Sequence, residues 1–167
     1  DGPSMREKPT LVLLHGGPGY DHSGFKPFFS RLADLAQVVY FDHRGHGRSD
    51  RRPREEWTLD TFADDVLRLC DALGIVKPIV LGQSFGGFVA QRYLARAIRN
   101  ALAEYSVDPT RLEVEITEST AMQNPEVNLS ILDQLAAMGI SLAIDDFGTG
   151  YSSLAYLKHL PIQRLKL

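Results

Sequence analysis

Three short apolar runs, each followed by a glycine turn or a change of character and separated by helical periods, restrict this chain to a few folds. Residues 11–14 (Leu-Val-Leu-Leu), 38–41 (Val-Val-Tyr-Phe) and 78–81 (Pro-Ile-Val-Leu) carry no charge. Uniformly apolar strands of this kind are buried on both faces, as in a parallel sheet. Between them, Phe25, Phe28, Phe29 and Leu32 fall on one helical face, and Leu59, Phe62, Val66, Leu69 and Leu73 on another. Gly74 follows the second set as a helix stop. The first half therefore reads β-α-β-α-β.

The second half continues the alternation in a different style. Val89, Tyr93, Ile98 and Leu102 predict a long helix after Ser84 that ends before Asp108-Pro109. Strands are expected at 112–117, 141–145 and 163–167, and these alternate polar with apolar residues, so one face is expected to be polar. Between them, Asn124 is expected to cap a helix with Pro125 in its first position. Val127, Ile131, Leu135 and Met138 would line its inner face and Gly139 would end it. A short helix is expected at 153–160, closed by Pro161. The whole pattern is α/β with a mainly parallel sheet.

Composition removes several classes of function. The 167 residues are 44% hydrophobic and 23% charged, an ordinary globular balance, and the net charge of −3 gives no basic footprint for nucleic acid. Cys70 is the one cysteine, which excludes an internal disulfide or a cysteine zinc site. No run approaches the roughly 18 apolar residues of a membrane span, and residues 1–10 lack the apolar core of a signal peptide. The expectation is a cytoplasmic protein with no membrane partner.

Two groups of residues carry chemistry. Gly82-Gln83-Ser84-Phe85-Gly86 follows a strand and opens a helix, the setting of a G-x-S-x-G nucleophile elbow. The N–H of Phe85 and that of Gly17, in the turn His15-Gly16-Gly17-Pro18-Gly19, are candidate oxyanion donors. With Phe41-Asp42-His43-Arg44-Gly45-His46-Gly47-Arg48-Ser49-Asp50, these motifs resemble the front of an α/β-hydrolase of the proline iminopeptidase-like branch. That resemblance implies ester or amide cleavage by a Ser–acid–His triad with Ser84 as nucleophile. The family's acid and histidine follow the serine after further strands. Here only His159 lies beyond Ser84, so Ser84 is expected to be vestigial. Asp42, His43 and Arg44 are expected to tie down a loop.

The second group is Glu115 and Glu118 at the end of one strand, Asp145 and Asp146 at the end of the next, and Lys166 in the third. Clustered carboxylates suit hard cations such as Mg²⁺ or Mn²⁺; the plainer reading is a solvated polar face with ion pairs. The stretches 113–119, 145–153 (Asp-Asp-Phe-Gly-Thr-Gly-Tyr-Ser-Ser) and 165–167 resemble the EAL phosphodiesterase domain, a TIM barrel that hydrolyses cyclic di-GMP with two metals. By that resemblance Glu115, Asp145 and Asp146 match metal ligands, Glu118 a residue that steadies the following loop, and Lys166 a water-orienting lysine. All are expected to be vestigial, with no cofactor beyond weak Mg²⁺ or Mn²⁺.

The two resemblances meet inside one helix, residues 1–97 on one side and 98–167 on the other. The hydrolase places its first three strands in order 2-1-3 and barrel strands add sequentially. The expectation is thus one three-layer domain over 1–167, with five to six strands ordered 2-1-3-4-5-6 in a flavodoxin/Rossmann-like sheet. An engineered chimera without a complete active site is the leading functional expectation. A weak serine hydrolase and a divalent-metal remnant are the alternatives. Homodimerisation is expected through the uncovered sheet face or the last strand.

Overall fold

A computed structural model describes residues 7–122, 125–148 and 154–167. They fall into two compact units, Asp1–Leu94 and Ala95–Leu167. Strands β1 (Thr10–Leu14), β2 (Gln37–Phe41) and β3 (Pro78–Gly82) form the first sheet, and β4 (Glu113–Thr117), β5 (Ser141–Asp145) and β6 (Arg164–Leu165) the second. Every pairing is parallel, so the α/β class follows.

The strand order is 2-1-3 in the first sheet and 4-5-6 in the second, with no pairing between β3 and β4 among the described residues. The six-strand order 2-1-3-4-5-6 in one sheet is thereby corrected to two three-stranded sheets. Periodicity reports which faces of a strand are buried, and says nothing about which edge meets which neighbour.

In the first unit the sheet has cover on both sides. Val12 and Leu14 pack with Phe62, Val66 and Cys70 of α2 (Leu59–Leu73) and with Val89 of α3 (Phe85–Glu104). Leu11 and Leu13 face the other way, onto Phe25 and Ala36 with Phe29 and Leu32 beside them. Leu13 and Leu14 are fully buried, which stabilises the fold by about 1.5–3 kcal/mol each. Thr58 caps α2 by accepting the Thr61 N–H, and Gly74 ends it in the left-handed conformation, as the sequence predicts.

The segment after β1 departs from expectation. A 3-10 turn (His22–Phe25), the one-turn helix α1 (Lys26–Phe29) and a second 3-10 turn (Ser30–Leu32) replace a regular helix. A tighter winding turns the expected face, so Phe25 is buried while Phe28 is 71% exposed. Leu73, at the last position of α2, is also exposed rather than inward.

The second unit has one core. Leu142 and Ile144 of β5 meet Ala95 of α3, Ala121 of α4 (Glu118–Met122), and Leu132 and Leu135 of α5 (Pro125–Ala137). Leu157 of α6 (Leu154–Leu157) and Leu160 complete it. Gly139 stops the α5 segment with φ 87°. The expectations for Asn124, for the side chain of Val127 and for Ser153 lie outside the described residues. Strand β6 is shorter than expected, although the N–H groups of Gln163 and Lys166 on either side of it still donate to the Leu142 and Ile144 carbonyls. Among the described residues no helix is long and apolar enough to cross a membrane.

Candidate active site

Strand β3 delivers the chain to Gln83, whose N–H donates to the Leu14 carbonyl at 3.1 Å. Ser84 then takes φ 53°, a left-handed conformation that costs a non-glycine residue on the order of 1–3 kcal/mol. Helix α3 starts at once: the N–H groups of Gly86 and Gly87 donate to the carbonyls of Gln83 and Ser84. Both glycines of the motif are sterically required. A Cβ at Gly82 would collide with the Gly86 carbonyl, and one at Gly86 with the Leu14 carbonyl. The serine thus stands at a strained strand-to-helix turn.

A pocket of about 620 Å³ opens there, lined by His15, Gly16, Gly17, Tyr20, Phe25 and Ser84 among others. Gly16 runs so close to the serine that a Cβ on it would lie 3.3 Å from the Ser84 Cβ. Gly17 has φ 26° and shares the pocket wall with Ser84. Phe85 turns its ring into the core, 5.3 Å from Phe62 and 5.8 Å from His43.

The histidines nearby are committed elsewhere. His15 donates Nδ1–H to the Gly16 carbonyl (2.8 Å) and accepts the His43 N–H on Nε2 (3.1 Å). His43 donates Nε2–H to the His15 carbonyl (3.2 Å), and His46 donates Nδ1–H to the Arg44 carbonyl (2.9 Å). The other nitrogens of these two rings, His43 Nδ1 and His46 Nε2, are buried without a hydrogen-bond partner. Burial pushes the His15 imidazole below its ordinary range despite the pull of the Gly16 carbonyl and Asp42, and pushes His43 down to about 4.

Asp42 and Arg44 hold the loop after β2. Burial raises the Asp42 carboxyl, but the backbone N–H groups of Arg48 and His22 and the His22 ring outweigh it and keep it below the usual carboxylate range. Arg44 forms a bidentate pair with Asp65 of α2 and a further bond to Glu56, all at 2.6 Å. Hydrogen bonding to Asp65 leads the causes that raise its guanidinium. Sequence reasoning missed His22, which donates its backbone N–H and its Nδ1–H to Asp42 at 2.8 and 2.9 Å. The available signal was Asp21, whose carboxylate caps the turn by accepting the Ser23 N–H.

In the second unit Glu113, Glu115 and Thr117 share a sheet face with Ser141, Ala143 and Asp145. Asp145 stands opposite Thr117, two residue pairs beyond Glu115. Lys166 binds Glu115, and Glu113 at 2.9 Å; Arg164 reaches Glu113 at 2.9 Å. The Glu115 and Glu113 partners raise the Lys166 ammonium, and the Lys166 bond lowers Glu113. Between these charged neighbours Ala143 is fully buried, while Glu115, Thr117 and Arg164 on the same face are exposed. Glu118 is 2% exposed and accepts the Gly148 N–H at 2.7 Å. Among the described residues no three His, Cys, Asp or Glu side chains gather around one metal position. The Lys166 ammonium occupies one Glu115 oxygen.

Comparison with known proteins finds both resemblances. The alpha/beta hydrolase fold family profile matches residues 9–136. The chain belongs to the α/β-hydrolase fold family. A proline iminopeptidase-related protein from Thermus thermophilus shares the fold, with TM-score 0.53 and 19% identity over 96% of this chain and 81% of that one. The metagenomic epoxide hydrolases of hot environments give 0.52 at 26% identity, over 58% and 32% of the respective chains. The chain is also 55% identical over 112 residues to the bifunctional diguanylate cyclase/cyclic di-GMP phosphodiesterase MucR of Pseudomonas aeruginosa, covering 67% of this chain and 16% of that protein. The cyclic di-GMP phosphodiesterase NbdA of the same organism is 46% identical over 113 residues, 68% of this chain and 14% of that protein. The chain thus combines α/β-hydrolase sequence with sequence of the EAL phosphodiesterase kind, and spans about one sixth or less of these curated relatives.

Proposed function

We propose that the chain is an engineered combination of two enzyme-derived segments whose role is to fold, with Ser84 a nucleophile that lacks a base. One observation carries this reading: each of the four histidines in Asp1–Leu94 spends a ring N–H on a carbonyl or carboxylate, and none bonds the Ser84 hydroxyl. A serine without a positioned base stays protonated and weakly nucleophilic. The Gly17 and Phe85 N–H groups can still stabilise an oxyanion, which supports at most slow turnover of activated esters. Hydrolysis of p-nitrophenyl acetate by the protein and by Ser84→Ala tests this. Equal rates near background are expected; a clear loss in the variant replaces the reading with a working serine hydrolase.

The strained Ser84 backbone and the pocket beside it favour that hydrolase as the second reading. Weak Mg²⁺ or Mn²⁺ binding at Glu115, Asp145 and Asp146 is opposed by Lys166 on Glu115. An Mn²⁺-dependent rise in melting temperature, lost in Asp145→Ala, would restore it. The exposed side chains of Leu165 and Leu167 support homodimerisation through the last strand. A dimer that persists in Leu165→Lys and Leu167→Lys would remove that interface.

A further inference from the structure

We infer that His15 and His43, with His46 packed beside them, form an acid-sensitive latch, whose protonation frees the Gly16-Gly17 turn from the loop after β2 and dismantles the pocket at Ser84. The inference concerns the pocket's integrity and holds whether or not Ser84 turns over an ester.

The three rings lie together, His15 with centroids 4.4 Å from His43 and 5.7 Å from His46. All three residues are at most 5% exposed. The hydrogen bonds of His15 and His43 admit only neutral rings. His15 Nε2 accepts the His43 backbone N–H, so a proton on that nitrogen sets two donors against each other. His43 Nδ1 has no hydrogen-bond partner, so a proton there is a buried, unsatisfied donor carrying charge. The latch spans two loops. His15 begins the turn that lines the pocket, while His43 and His46 belong to the loop held by Asp42, and the His15–His43 bonds run in both directions between them.

The surroundings cannot neutralise a charged ring. The acidic groups acting on the cluster are Asp42 and, for His15, Asp21, and Asp42 is already engaged by His22 and the Arg48 N–H. The remaining neighbours are aromatic. Phe41, Phe62 and Phe85 lie 5.3–5.8 Å from the His43 ring, and Trp57 lies 4.8 Å from the His46 ring. Arg44, between His43 and His46 in sequence, is turned to Asp65 and Glu56.

The sign follows from the depressed values of His15 and His43, whose ordinary value is 6.5. The opened form binds more protons than the closed form below that value. The latch is therefore fully stable near neutrality and loses stability as pH falls from 6.5 towards about 4. Each pH unit in that window favours opening by about tenfold for the His43 ring, and His15 acts in the same direction.

Trp57, the one tryptophan, reports the latch directly because its ring packs at a tilt against His46. The full chain is titrated from pH 7 to pH 4 while Trp57 emission, far-UV circular dichroism and imidazole ¹⁵N shifts are followed. The expected result is a steep emission change below pH 6 with helical signal largely kept, and with His15 and His43 gaining protons together in that step. His43→Gln keeps a donor for the His15 carbonyl but cannot titrate, so its midpoint moves to lower pH; His159→Gln leaves it in place. Independent titration of His15 and His43 near 6.5, a flat emission to pH 4, or an unchanged midpoint in His43→Gln overturns the latch. Simultaneous loss of emission and helix signal in both proteins overturns it too, as general acid unfolding. Should His43→Gln fail to fold, the wild-type ¹⁵N shifts alone decide.

Discussion

The two units treat their polar chemistry in opposite ways. In Asp1–Leu94 the polar groups around Ser84 are buried and spent on backbone: His15, His43 and His46 each hold a carbonyl, and Asp42 gathers two N–H groups and an imidazole. In Ala95–Leu167 the polar groups of the sheet face are half-exposed and spent on one another, Lys166 on Glu113 and Glu115, Arg164 on Glu113. Backbone geometry characteristic of an enzyme survives in the first unit, in the strained elbow and its two obligatory glycines. The second unit holds instead a set of side chains paired by charge. The difference is between a site built on backbone geometry and one built on side-chain charge: strain and steric demand hold the first, ion pairing the second.

The largest effects test whether the contrast extends to the cores. Leu14→Ala and Ile144→Ala each remove a fully buried side chain and are expected to cost about 2–5 kcal/mol. Helix α3 supplies Val89 to one core and Ala95 to the other, so we expect a single domain in which both variants lower the same urea midpoint. Trp57 fluorescence reads the first unit alone. An Ile144→Ala variant that leaves the Trp57 transition unmoved would break the single-domain expectation.

Next comes the elbow. Gly86→Ala drives a methyl into the Leu14 carbonyl and is expected to cost about 3 kcal/mol. Gly148→Ala in the second unit meets no atom within 4 Å and bears only the strain of φ 96°, about 1 kcal/mol. Comparable losses for the two, measured by urea denaturation, would mean that the elbow can relax.

A smaller effect of opposite sign sharpens the same point. Ser84→Gly relieves a left-handed non-glycine residue, so the variant is expected to be more stable by about 1 kcal/mol, read as a higher melting temperature. A destabilised Ser84→Gly would reveal a hydroxyl contact important to the fold.

Legibility in the sequence divided along similar lines. Backbone requirements were plain: the runs that became β1, β2 and β3, the glycines at 74 and 139, and the Gly82-Gln83-Ser84-Phe85-Gly86 turn all impose steric demands that few residues meet. Side-chain destinations were not. Nothing in the spacing joins His22 to Asp42, twenty residues away, or commits both nitrogens of His15. Phe28 was misplaced because short 3-10 turns rotate a face that an α-helical period assumes fixed. The break between the sheets was hidden because every strand edge offers the same backbone donors and acceptors.

The smallest effect decides what the charged face is for. Lys166→Met removes the cation shared by Glu113 and Glu115, and only a small drop in melting temperature is expected, since exposed pairs contribute little and are screened by salt. Lys166 holds Glu113 below its ordinary value, so the pair's contribution is present above that value and fades as pH falls through the depressed one. The drop should therefore shrink in high salt and in acid. The variant also leaves Glu113 and Glu115 facing each other across one alternate position of β4 without that shared cation. If Mn²⁺ then raises the melting temperature of Lys166→Met but not of the parent, the lysine has been occupying a cation's place. If neither protein responds, the face is an ion-pair ladder alone, and the contrast between the units becomes one between a retained backbone and a replaced set of charges.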